Sequence, residues 1–64
     1  MIKSFQYTNA LGLPKKLVVY DLNEEGKYPV TLWEMTHGEF CGSGAMTKNE
    51  LNDYLAHFGI QERF

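Results

Sequence analysis

Met46-Thr47-Lys48-Asn49-Glu50-Leu51-Asn52-Asp53-Tyr54-Leu55-Ala56-His57-Phe58-Gly59-Ile60 carries the signals for both ends of one helix. Thr47 with Glu50 three residues on is a capping box: the Glu50 N–H donates to the Thr47 hydroxyl, and the Glu50 carboxylate accepts from the Thr47 N–H. Met46 and Leu51 occupy the hydrophobic-staple positions on either side of that cap. At the other end, Gly59 can adopt the left-handed conformation that ends a helix, and Ile60 can fold back on Leu55. Between the caps, Leu51, Tyr54, Leu55 and Phe58 fall at i, i+3, i+4 and i+7, which makes one apolar stripe. A stripe needs a cover, and the preceding residues must supply it.

Those residues read as short strands separated by turns. Ile2–Thr8 alternates, with Phe5 and Tyr7 on one face and Ser4 and Gln6 on the other. Gly12 and Pro14 break the chain in a loop spanning Asn9–Pro14. Lys16–Leu22 is the strongest strand, rich in β-branched and aromatic residues and apolar on both faces, as a central strand would be. Asn23-Glu24-Glu25-Gly26 is a polar turn. A third strand runs over about Tyr28–Met35, with Pro29 confined to its start or to an open edge because it cannot donate to a ladder. Thr36–Glu39 is a tight turn, Glu39–Cys41 a short return strand, and Gly42-Ser43-Gly44 a turn into the helix.

Short connections pair sequential strands antiparallel. The expected fold is therefore α+β in a single domain over residues 1–64: an antiparallel three- to four-stranded meander sheet with one C-terminal helix packed on one face (β-β-β-β-α).

Sixty-four residues bury only about 60% of the unfolded surface. Small folds are commonly reinforced by disulfides, metals or partners. Cys41 is the only cysteine, so no internal disulfide forms, and a reducing cytoplasm is the expected compartment. The opening residues lack the apolar run of a signal peptide, and no stretch approaches the roughly 18 apolar residues that span a bilayer.

Charge narrows the functions further. Six bases oppose eight acids, a net −2, whereas nucleic-acid binders carry a basic face for the phosphates. Gly42-Ser43-Gly44 lacks the Gly-Lys-Ser/Thr ending of a phosphate loop, and Glu50 would repel an anion there. Asp21–Gly26 imitates half of a calcium loop, but Leu32 stands where a bidentate Glu is required. Cys41, His37, His57 and Glu39 fall short of a zinc ligand set. A Cys41–His nucleophile pair would need a pocket and an orienting group that so short a chain has little room for. No catalytic, cofactor-binding or metal-binding residue is assigned, and no membrane partner is expected.

Nine aromatic residues (one Trp, four Tyr, four Phe) point instead to packing and to a protein interface. One helix covers one sheet face, while the strands carry large groups on both. Val18, Tyr20 and Leu22 oppose Leu17 and Val19; Trp33 and Met35 oppose Val30 and Leu32. The expectation is a small non-enzymatic module of accessory or inhibitor type, a role often filled by phage or mobile-element proteins. It would bind a protein partner, or itself as a homodimer, through an apolar face. Trp33, Met35, Tyr20 and Tyr28 are the candidate contacts. The alternative is a small sheet-based DNA-binding protein using Lys3, Lys15, Lys16 and Lys27. Which face takes the helix depends on register, since a one-residue slip exchanges the faces.

Overall fold

The computed structural model describes residues 2–64. Four strands, β1 (Lys3–Thr8), β2 (Pro14–Val19), β3 (Tyr28–Glu34) and β4 (Glu39–Met46), precede one helix, α1 (Lys48–His57). The strands form a single antiparallel sheet in the order β1-β2-β3-β4. The architecture is the α+β meander with a C-terminal helix that the sequence predicts.

Two of the turns use one device. Asn9 Oδ1 accepts from the N–H groups of Leu11 and Leu13, and Asn23 Oδ1 from those of Glu25 and Lys27. In each, the glycine three residues after the Asn takes a positive φ, +80° at Gly12 and +77° at Gly26. The Asn side chain thus supplies the acceptor for turn N–H groups that would otherwise be left to water. The Asp21–Gly26 stretch is accordingly a hairpin connection. The third turn closes on Glu34, whose carboxylate accepts from the Thr36 N–H at 2.6 Å.

Strand limits differ from expectation at two places. β2 begins at Pro14, not Lys16, because Pro14 needs only its carbonyl there; it accepts from the Met35 N–H at 2.9 Å. β2 also stops at Val19, leaving Leu22 off the sheet and 55% exposed. The larger correction concerns β4. Gly42-Ser43-Gly44 is not a turn but the middle of an eight-residue strand, paired with β3 as Leu32↔Gly42, Thr31↔Ser43 and Val30↔Gly44. Ladder hydrogen bonds override the low strand preference of glycine. The extra residue of a bulge, Cys41, falls where the register steps from Leu32↔Gly42 to Trp33↔Phe40.

Register decides the faces. Phe5, Leu17, Leu32 and Gly42 align across the sheet, as do Val19, Val30 and Gly44. Helix α1 packs on this side, and Leu17, Val19, Leu51 and Leu55 are fully buried between the layers, with Phe5 and Val30 beside them. Tyr54 and Phe58 close the stripe against Tyr7, which stacks on Phe58 at 4.2 Å and hydrogen-bonds the Tyr54 hydroxyl. Burial, reinforced by that hydroxyl, pushes the Tyr7 phenol well above its ordinary pKa.

The helix ends as its sequence signals. Glu50 N–H donates to Thr47 Oγ1 at 3.2 Å, and Thr47 N–H to Glu50 Oε1 at 2.9 Å. Gly59 has φ +73°, and the Gly59 and Ile60 N–H groups donate to the Ala56 and Leu55 carbonyls, a Schellman arrangement.

Beyond Gly59 the tail returns across the same sheet face. Phe64 packs on Phe5 and Tyr28, its N–H donates to Asn52 Oδ1 at 2.8 Å, and Glu62 pairs with Lys3 at 3.3 Å. Asn52 is the only buried polar side chain among the described residues, and this bond satisfies it. No helix among those residues is long and apolar enough to cross a membrane.

Candidate protein-interaction face

The opposite sheet face has no helix over it. Its side chains form rows set by the register: Gln6, Lys16, Trp33 and Phe40 in one, Ser4, Val18, Thr31 and Ser43 in the next, then Tyr20, Pro29 and Ala45. Trp33 is the centre. Phe40 meets it edge-on, with ring centroids 5.5 Å apart, and Lys16 Nζ lies over the indole at 5.6 Å. The indole N–H donates to Thr31 Oγ1 at 3.0 Å, and the same hydroxyl lies 3.4 Å from that of Tyr20.

Thr31 therefore ties two aromatic side chains to the sheet and settles the polar end of each. A large ring held in this way loses little rotamer freedom when a partner covers it. Phe40 remains 56% exposed. Leu11 and Leu13, in the loop between β1 and β2, are themselves 83% and 41% exposed.

The four sequence candidates separate. Trp33 and Tyr20 share this face and are linked through Thr31. Met35 lies one residue beyond β3, at the start of the turn. Tyr28 shares parity with Val30 and Leu32, so it faces the helix side, where Phe64 packs against it at 5.1 Å. Thr31, which shares the alternation of Trp33 along the strand, joins the cluster as that pattern indicates, whereas Lys16 and Phe40 complete it and were not legible as members. Lys16 and Phe40 join Trp33 only through pairing across three strands, and the position of Phe40 depends on the bulge at Cys41.

Chemistry elsewhere is dispersed. Cys41 is exposed on β4, His37 lies in the third turn, and His57 is on the outer side of the helix. Among the described residues, no three His, Cys, Asp or Glu side chains are grouped as a metal site would require. The lysines are divided too: Lys3 pairs with Glu62 on the helix side, Lys16 is on the open face, and Lys27 acts on Glu50 from its turn.

No family model, curated protein or solved structure matches this chain. The functional reading therefore rests on this geometry alone.

Proposed function

We propose that this chain is a small non-catalytic interaction module, of accessory or inhibitor type, that seats a protein partner on its open sheet face. The observation that carries the reading is the Lys16–Trp33–Phe40 row, in which Thr31 fixes the indole, Phe40 meets it edge-on and no helix lies over either ring. Trp is enriched among the residues that dominate interface energies, and rings surrounded by small polar groups resemble an anchor with its rim. Here Ser4, Gln6 and Ser43 supply that rim. A second copy of the chain is one such partner. The exposed thiol of Cys41 fits a reducing compartment and supports action in the cytoplasm as part of this reading. A DNA-binding sheet would draw its lysines onto one surface, and their dispersal favours the protein partner instead.

The test is capture from host lysate by tagged wild type, Trp33→Ala and Phe40→Ser, read by mass spectrometry alongside light scattering of each protein. The expected result is a partner, or a dimer, held by wild type and lost from both variants while their circular dichroism stays native. A wild type that remains monomeric and captures nothing overturns the reading. So do variants that retain everything wild type binds.

A further inference from the structure

A single ten-residue helix leaves corners of a four-stranded sheet face uncovered. The chain fills one with its own tail, where Phe64 sits on Phe5 and Tyr28. The other lies over β3 and β4. Its floor is Leu17, Val30 and Leu32, its helix wall is Tyr54 with Met46, and along β4 it is bounded by Gly42, Ser43 and Gly44.

The glycines carry information. Neither has a positive φ, and a Cβ built on either meets no atom within 4 Å. Nothing inside the molecule requires glycine there, although glycine weakens a strand. Glycine inside a strand often marks a place where another backbone or a ligand approaches closely.

The backbone gives the second observation. Tyr20 N–H donates to the Pro29 carbonyl and Met35 N–H to that of Pro14, so odd-numbered residues of β3 bond to β2 and even-numbered ones to β4. Gly42, Gly44 and Met46 therefore bond inward. Ser43 and Ala45 direct their N–H and C=O groups away from the sheet, along its open edge. From Gly42 to Met46 that edge carries no Lys or Pro to guard against strand addition, and its one bulge lies before this stretch, at Cys41.

We infer that β4 is a docking edge for an extended peptide of a partner protein. The peptide adds as a fifth strand and places large apolar side chains over Gly42 and Gly44 into the open corner. Aromatic side chains opposite strand glycines compensate for the missing side chain, and in the other corner the Phe64 ring covers Phe5 and Tyr28. Charge defines the peptide further. Glu39 begins β4, and Glu50 and Asp53 border the adjoining surface formed with Met46, Tyr54 and Phe58. Lys27 offsets part of the Glu50 charge, and Lys48 projects about 200° around the helix from Glu50. The favoured segment alternates apolar residues and carries Arg or Lys at its ends.

The probe is a synthetic peptide of alternating Thr and Phe with an Arg at each end, titrated into the isotope-labelled protein. Shifted and exchange-protected amides at Ser43 and Ala45 are expected, with binding lost on N-methylation of alternate peptide amides and weakened when Glu replaces the terminal Arg. Gly44→Val should abolish binding while leaving the melting temperature unchanged or higher. The methylated peptide probes the same edge without altering the protein. Trp33→Ala should bind the probe as wild type does, so failure of this site and failure of the open-face reading are separable. Perturbation confined to the Trp33 face, indifference to N-methylation, or no binding overturns the inference. Protection of Ser43 and Ala45 that rises with protein concentration in the absence of peptide overturns it too, by assigning the edge to a second copy.

Discussion

Leu17 and Val18 are chain neighbours in one strand, yet Leu17 is 1% exposed and Val18 only half-buried. Leu32 and Trp33, the next such pair on β3, also point to opposite sides, and there both are half-buried. The covered face carries Phe5, Leu17, Val19, Val30 and Leu32 beneath helix α1 and the tail. The open face sets Trp33, Phe40 and Val18 among Ser4, Gln6, Lys16, Thr31 and Ser43, with only its own rings for cover. Burial of apolar area is what stabilises a fold, so the covered face holds the molecule together. The open face can then tolerate change, and a change there should be read in binding.

The sharpest way to break this contrast is a matched pair of truncations. Leu55→Ala removes a fully buried side chain from between helix and sheet and should cost about 2–5 kcal/mol, measured by urea unfolding. Trp33→Ala removes a larger but only half-buried side chain, losing its edge contact with Phe40 and its hydrogen bond to Thr31, and should cost less than Leu55→Ala. Equal losses would abolish the distinction between the faces.

Smaller effects come from loosening the cover at its ends. Gly59→Ala forces an L-residue to φ +73° and should cost about 1–2 kcal/mol. Thr47→Ala removes the cap acceptor of the Glu50 N–H and should cost about 1 kcal/mol. If both variants melt with wild type, the helix is not held by these ends. Asn52→Ala sharpens the comparison within the covered face. It removes the acceptor of the Phe64 N–H, at about 1 kcal/mol, and should speed hydrogen exchange at Phe64 while leaving Leu55 protected.

The smallest effect is electrostatic. The backbone N–H and hydroxyl of Thr47 hold the Glu50 carboxyl below its ordinary pKa of 4.5. The folded state therefore binds that proton less readily than the unfolded one. The contribution is complete above the ordinary carboxylate range and is lost as pH falls through the lower folded value. Acid titration by circular dichroism should show the helix weakening in that window, and Glu50→Gln should flatten this component. An unchanged titration in the variant would remove Glu50 from the account.

Both helix ends were legible because each is a conversation between residues three to five apart in the chain. Thr47 reaches Glu50, and Gly59 with Ile60 reaches Ala56 and Leu55. Strand parity was legible for the same reason, since alternation is a property of the extended backbone itself. From these the sequence alone determined the element order, the helix limits and the sets of residues that share a face. It did not determine which set the helix would cover, because a one-residue difference in pairing exchanges them. Nor did it reveal the length of β4: Glu39–Cys41 reads as a short return strand, but the glycines beyond it, despite their low strand preference, are held to β3 by hydrogen bonds as far as Met46. Asn52 and Phe64, twelve residues apart, met only once the tail had folded back. The tertiary structure decided these points because each rests on contacts between segments that local chain chemistry does not bring together.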